Sequence, residues 1–300
     1  MRTTIRICVA LLLTALIPAC AVQRTDGREI VVTTNILGDL TRAIIGDTAA
    51  VTVLMPPNAD PHQFAISAQT AARIERAALL VHNGLGLEEG VQRHVGAAEQ
   101  RGVVSISVGE QVDPIRYRGT ETPDPHFWTD PARVRRAVAE ISNRVMKIDG
   151  IDVDAVRANT ARYLAELDQL DHWMTERFST IAPARRKLVT NHHVFGYLAQ
   201  RFGFEVIGAV IPGGTTLASP SASDLAELAE TIRAARVPAI FADSSQPDRL
   251  ARVLAEQVGV HVQVIALYSE SLTAPGGGAA TYLDMMRANT EAVVRGLTAP

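Results

Sequence analysis

Residues 152–181 read "DVDAVRANTARYLAELDQLDHWMTERFSTI", a stretch with neither glycine nor proline. Val156, Tyr163, Leu164, Leu167, Leu170, Trp173, Met174 and Phe178 recur at intervals of three and four, the spacing of one apolar helix face. At ~1.5 Å per residue the predicted helix is about 45 Å long, and Pro183 stops it. A helix of this length is unusual among short strands and helices. It predicts a spine with one lobe on either side.

On both sides the chain alternates. Before the spine, β-branched runs at 29–35, 50–55, 79–84 and 103–107 read as strands. Helices are predicted at 36–46, closed by Gly46, at 67–78, opened by Ser67, and at 131–148, with Pro131 in its first turn. After the spine, strands are expected at 187–191, 204–211, 238–243 and 261–267. Helices are expected at 194–203, 221–235 (capped by Ser221 or Ser223), 246–259 and 281–297. Strands separated by helices of this length form parallel sheets through right-handed crossovers. The fold class is therefore α/β with two lobes, each a parallel sheet flanked by helices, joined by one long spine helix. The predicted organisation is an N-terminal lobe at 28–150, the linking helix at 151–182 and a C-terminal lobe at 183–300.

Two loops carry the same tripeptide, Asp60-Pro61-His62 in "MPPNADPHQF" and Asp124-Pro125-His126 in "TPDPHFWTDP". Proline fixes its own φ and keeps the preceding residue out of the helical region, so each copy is an extended or turn segment. Two surface turns sharing turn chemistry are one reading; two imidazoles held on pre-organised loops are the other. In open parallel sheets, ligands bind beyond the carboxyl ends of the strands. His62, His126, His192 and Glu270 all follow a predicted strand end or lie on the long loop after one, and this favours the second reading. By contrast, His82 reads as a turn residue, His94 and His172 lie on polar helix faces, and His261 starts a strand. The Met285-Met286 pair reads as core packing, and Gly276-Gly277-Gly278 as a turn without the lysine or spacing of a phosphate loop.

The chain has 300 residues, a net charge of −3 and no basic block, which gives no footing for a nucleic-acid partner. Arg2 and Arg6 precede the apolar "ICVALLLTALI" and then small residues and Cys20, the layout of an export signal spanning 1–20. The apolar run is too short for a permanent membrane span. Ala19-Cys20-Ala21 fits ordinary signal cleavage, whereas "IPAC" resembles a bacterial lipobox, with Pro18 outside its usual pattern. The expected location is periplasmic, or lipid-anchored through Cys20 to the outer face of the cytoplasmic membrane. Removing residues 1–19 takes the net charge from −3 to −5 and leaves Cys20 as the only thiol. An internal disulfide and a cysteine-based metal site are thereby excluded, so any metal must be held by His, Asp and Glu.

These motifs resemble the zinc/manganese class of solute-binding receptors of bacterial ABC importers, over about residues 28–298. Ala59-Asp60-Pro61-His62 matches the loop of that family's first ligand. Asp124 to Pro131 matches its "DPHxWxDP" stretch, with His126 in the ligand position. In "NHHVFGYLAQRF" the pattern His-x-x-Phe-Gly-Tyr places the third ligand at His192, with His193 in the variable slot. The fourth falls in Leu267-Tyr268-Ser269-Glu270-Ser271-Leu272, ahead of Tyr282, Met285, Met286 and Asn289. Glu270 stands where aspartate is usual, with Asp243 an alternative or additional carboxylate. No histidine-rich loop precedes His126.

The resemblance implies a receptor and not an enzyme. It binds one divalent metal between its lobes and delivers it to an ABC permease and its ATPase. Three imidazoles and one carboxylate make a closed four-coordinate site suited to Zn²⁺; Mn²⁺, the alternative cargo, prefers oxygen-rich shells. A monomer is expected. Asp60, Asp124, Asp130 and Asn191 are the nearest candidates to orient the imidazoles. Two other classes stay open. A secreted metallohydrolase needs an open metal position and a general base, and no H-E-x-x-H is present. An adhesin would use the metal only for stability.

Overall fold

The computed structural model describes residues 29–259 and 262–298; the export signal, Cys20 and His261 lie outside them. The first half of the chain runs β1 (Ile30–Val32), α1 (Asn35–Ile45), β2 (Val51–Val53), α2 (Ala68–Ile74), β3 (Leu79–His82), α3 (Gln92–Gln100), β4 (Ser105–Ser107) and α4 (Pro131–Val145). The long helix α5 (Val153–Ser179) follows. The second half runs β5 (Lys187–Thr190), α6 (Gly196–Phe202), β6 (Glu205–Ala209), α7 (Ala222–Ala235), β7 (Ala239–Asp243), α8 (Arg249–Val258), β8 (Gln263–Leu267) and α9 (Tyr282–Thr298).

Two four-stranded sheets result, ordered β2-β1-β3-β4 and β6-β5-β7-β8, with every pairing parallel. The second sheet repeats the topology of the first, so β5 to β8 correspond to β1 to β4. Both faces of each sheet are covered, and alternate residues of a strand enter different cores. Ile30 and Val32 face a central core that also takes Ala239 and Phe241 from the other sheet. Val31 joins an outer core with Met55, Phe64 and Ile74, and Ile240 and Ala242 face a second outer core with Ile232 and Leu254.

Helix α5 occupies the centre, packed against α1, α4 and α9. Val156, Tyr163, Leu167, Leu170, Met174 and Phe178 are its buried stripe, six of the eight predicted positions. Leu164 and Trp173 pack half-buried at the edge of the same core. Asp152 caps the helix, accepting from the Ala155 N–H at 3.0 Å. Ser67 caps α2, and Ser221, not Ser223, opens α7 in a reciprocal capping box with Asp224.

Several elements are shorter than their sequence patterns. The helix predicted from 246 starts at Arg249, after the turn in which Asp243 accepts from the Ser245 N–H. Helix α3 has no strong apolar stripe, burying only Val95 and Ala98, and its pattern did not mark it. Met285 and Met286 are buried in the central core, and Gly276 and Gly278 adopt positive φ within a turn.

Candidate metal centre

The repeated tripeptide builds the same turn twice. Asp60 Oδ1 accepts from the His62 N–H at 2.8 Å, and Asp124 Oδ1 accepts from the His126 N–H at 2.9 Å. Proline, with no N–H, occupies the intervening position, and the aspartate closes an Asx-type turn across it. The tripeptides are thus turns that also hold imidazoles. Asp124 goes further, contacting His126 Nδ1 at 2.7 Å. This places the proton on Nδ1 and leaves the Nε2 lone pair for the interior.

Each loop follows a strand end. His62 follows β2 and His126 follows β4, while His192 comes two residues after β5 and Glu270 three after β8. The Thr190 hydroxyl donates to the His192 carbonyl at 2.7 Å and fixes the short β5 loop. One ligand-capable atom from each of His62, His126, His192 and Glu270 lies within 4.8 Å of the other three, and all four residues are buried. His126 Nε2 is 3.3 Å from His62 Nε2 and 3.5 Å from Glu270 Oε1, and His192 Nε2 is 3.0 Å from the same oxygen. A tetrahedron with bonds of ~2.0–2.1 Å has edges of about 3.3–3.4 Å, so these separations match a shared ion.

Most of the polar atoms that converge here are unpaired, His62 Nε2 and His126 Nε2 meeting only each other. His192 Nδ1 and Nε2, His62 Nδ1 and both Glu270 oxygens are buried with no hydrogen-bond partner. Glu270 Oε1, although close to His192 Nε2, is not aligned for a hydrogen bond. Unpaired buried donors and acceptors carry a desolvation cost that a bound cation removes. Burial, reinforced by the neighbouring imidazoles, pushes His62 down to about 2. Burial holds His126 well below the ordinary histidine range in the same way. Burial also acts to depress His192, but Glu270, Asp243 and Asp60 outweigh it and raise this residue. Glu270 is pushed up to about 7, chiefly by burial and against the attraction of His192.

The remaining candidates separate cleanly. His193 turns aside and lines a neighbouring cavity of about 550 Å³. Asp243 is not in the cluster: its oxygens accept from the Ser245 N–H and hydroxyl and from the Ser269 hydroxyl. Asp60 and Asp124 support histidines, whereas Asp130 caps α4 through the Ala132 N–H at 2.8 Å. The Asn191 side-chain amide makes no hydrogen bond, and its carbonyl takes the Ile211 N–H at 2.8 Å. His82 is the last residue of β3, 3.6 Å from Glu99.

Other supports were not singled out from the sequence. Buried Glu88 accepts from the Thr33 hydroxyl at 2.6 Å, the Asn83 N–H at 2.6 Å and the Gly84 N–H at 3.1 Å. Asn83 in turn donates to the Pro125 carbonyl at 3.1 Å, steadying the His126 loop. The Phe-Gly-Tyr motif gains a physical meaning here. The Tyr197 hydroxyl donates to the Asp124 carbonyl at 2.7 Å, and a Cβ on Gly196 would lie 2.7 Å from Asp124 Oδ2. One lobe's third motif is therefore docked on the other lobe's second.

Three imidazoles and a carboxylate converging between two α/β lobes form a candidate metal site, and the relatives that the chain matches are metal-binding substrate-binding receptors rather than enzymes. Residues 30–296 match the family described as zinc-uptake complex component A, periplasmic, and the chain belongs to that family of ABC-transporter receptors. It is 30% identical over 282 residues to the zinc-binding protein TroA of Treponema pallidum, covering 91% of this chain and 90% of the relative. It is 26% identical over 273 residues to the manganese-binding lipoprotein MntA of Halalkalibacterium halodurans, covering 91% and 89%. The solved structure of TroA superposes with a TM-score of 0.85 at 27% identity, over 91% of this chain and 99% of that one.

Proposed function

We propose that this chain captures Zn²⁺ in preference to Mn²⁺ through His62, His126, His192 and Glu270, and presents it to an ABC permease and its ATPase for import. The observation that carries the reading is the convergence of four buried ligand-capable groups, of which His192 Nε2 and both Glu270 oxygens have no hydrogen-bond partner and His62 Nε2 and His126 Nε2 face only each other at 3.3 Å. Three nitrogen donors and one carboxylate suit a borderline-soft ion, whereas manganese favours more oxygen donors. The four groups fill the coordination sphere and leave no open position for an activated water, so the arrangement captures and does not hydrolyse. The relatives' names include both metals, and the donor set decides for zinc in this reading.

All four groups come from one chain, which supports a monomeric receptor in that no second copy is needed to complete the site. Among the described residues no helix is long and apolar enough to cross a membrane. Several relatives are named lipoproteins. The relatives' names support export with Cys20 as the anchor, in line with the lipobox-like "IPAC".

The test is metal content and competition. Purified protein measured by elemental mass spectrometry is expected to carry one zinc per chain, and zinc is expected to displace manganese by a wide margin. Alanine at His62, His126 or His192 is expected to leave a folded protein with greatly weakened binding. Equal affinity for the two metals, or full-affinity stoichiometric zinc in all three variants, rejects the assignment.

A further inference from the structure

The ligand loops are tied across the cleft on two unequal sides. On the Glu270 side three ties are buried among apolar residues and a fourth, from Asn58, lies at the exposed edge. Trp128 Nε1 donates to the Ser269 carbonyl at 2.8 Å, Asn35 donates to the Ser271 hydroxyl at 2.7 Å, and the Leu272 N–H donates to Asn35 Oδ1 at 2.9 Å. The Asn58 N–H adds a bond to the Leu272 carbonyl at 2.9 Å. Although Glu270 belongs to the second half of the sequence, its loop is bonded to the first lobe.

The opposite side is made by residues 212–217, "PGGTTL". This segment follows β6, the topological counterpart of β2, and so stands where the His62 loop stands in the other lobe. It supplies no ligand. Instead it reaches across to the first lobe with polar contacts at each step. The Tyr117 hydroxyl donates to the Gly214 carbonyl at 3.1 Å, the Thr215 hydroxyl to Glu89 at 3.1 Å, and Gln63 Nε2 to Thr216 Oγ1 at 3.2 Å. The buried Thr216 hydroxyl donates to Asp60 Oδ2, whose other oxygen holds the His62 N–H. The flanks of the segment are bonded to the neighbours of His192: the Ile211 N–H to the Asn191 carbonyl at 2.8 Å and the His193 N–H to the Gly213 carbonyl at 3.0 Å. The 550 Å³ cavity lies at this side, with His62, Tyr117, His193, Gly213 and Gly214 in its wall.

We infer that residues 212–217 form the strap through which the metal enters and leaves, and that Thr216 is a positioning residue whose hydroxyl sets the residence time of the bound ion. The inference rests on the metal-receptor reading and deepens it. Opening the Glu270 side requires breaking buried hydrogen bonds next to Trp128, Leu272 and Tyr282. Opening the strap breaks the Tyr117–Gly214 and Thr215–Glu89 bonds, whose residues line the cavity, and the buried Thr216–Asp60 bond behind them, which is linked directly to a ligand's backbone. When that bond breaks, the strap loses its hold on Asp60, Asp60 loses one of its fixed donors, and His62 loses rigidity while the flanks of His192 are freed to move. Gln246 Nε2, from another part of the second lobe, also donates to Asp60 Oδ2 at 2.8 Å. The carboxylate thus keeps a partner when Thr216 changes, and the fold is expected to survive the substitution.

The test is the rate of zinc release, followed by stopped flow after the zinc-loaded full chain is mixed with an excess of a chromogenic chelator. Thr216→Val keeps the side-chain volume and removes the hydroxyl. It is expected to release zinc about tenfold faster, the scale of a lost hydrogen bond to a charged group, with the melting temperature of the metal-free protein close to wild type. Thr216→Ser keeps the hydroxyl and is expected to stay within about twofold of the wild-type rate. Release at the wild-type rate from Thr216→Val overturns the inference, as does equally fast release from both variants. If Thr216→Val does not fold, Gln63→Ala carries the test, because it removes the donor to Thr216 from an exposed position. Faster release is then required, and a wild-type rate is decisive against the strap. A wild-type protein that takes up neither zinc nor manganese fails the receptor reading itself, and this inference with it.

Discussion

Asp39 shows how a single half-buried charge is tolerated away from the site. It lies on α1 and accepts the Tyr282 N–H at 2.8 Å, and burial raises its carboxyl above the ordinary value of 3.8 against the pull of that hydrogen bond. Folding therefore favours the protonated form. The penalty is absent below the ordinary carboxylate range and grows as pH rises through it toward the folded-state value. Asp39→Asn keeps an acceptor for Tyr282 and removes the charge. Its melting temperature is expected to exceed wild type by about 1–2 °C at pH 7, with the gain vanishing near pH 4; thermal melts at the two pH values check this. Gly196 is the opposite case, a residue required for what it lacks. Its hydrogen makes room for Asp124 Oδ2, and a Cβ would also meet Ile115 Cδ1 at 3.4 Å. Gly196→Ala is expected to cost about 1–3 kcal/mol as a crowded core substitution and to weaken zinc binding, because Asp124 holds His126. Denaturant titration and a zinc competition assay on the same variant read the two effects.

At the scale of elements, α5 carries the most weight. Leu170 is fully buried in the middle of its stripe, and Leu170→Ala is expected to destabilise by about 2–5 kcal/mol, measured by chemical denaturation. The stripe was legible in the sequence because its period is unbroken over seven turns and no glycine or proline interrupts it. The strands were legible as short runs rich in Val, Ile and Leu, most clearly the central ones, such as Ile30–Val32 and Ala239–Asp243, whose residues are buried on both sheet faces. Helix α3 was not, because only Val95 and Ala98 face inward. The four residues that the structure brings together as a candidate metal site were legible for a different reason: the Asp-Pro-His turns and the Phe-Gly-Tyr helix start are local chemistry, visible in a few consecutive residues. Glu88, Asn83, Tyr117 and Thr216 were not. Each acts through a contact with a distant segment, such as Thr216 with Asp60 across 156 positions, and nothing beside it in the chain announces the partner.

For the whole molecule, metal capture and stability are one quantity seen twice. A ligand bound only by the native state stabilises it by about 4 kcal/mol at a thousandfold excess over Kd. Zinc is therefore expected to raise the melting temperature of the metal-free protein by several degrees, and the combined His62→Ala, His126→Ala and His192→Ala protein is expected not to respond. Differential scanning fluorimetry with and without metal separates the two outcomes. An unchanged wild-type melt would leave the converging imidazoles without a ligand to explain them.

The central core has a consequence for cooperativity. Its members include Ile30 and Val32 from one sheet, Phe241 and Leu267 from the other, and the buried stripe of α5 between them. Neither half closes a complete interior alone: each would expose the face that the spine helix and its opposite half now cover. Calorimetry of the intact chain is accordingly expected to show a single heat-absorption peak whose direct and van 't Hoff enthalpies agree, and a separately expressed fragment of residues 183–298 is expected to remain unfolded. A molecule built as two lobes is thus expected to melt as one cooperative body, and a metal ion held between them is expected to protect residues far outside the loops that touch it.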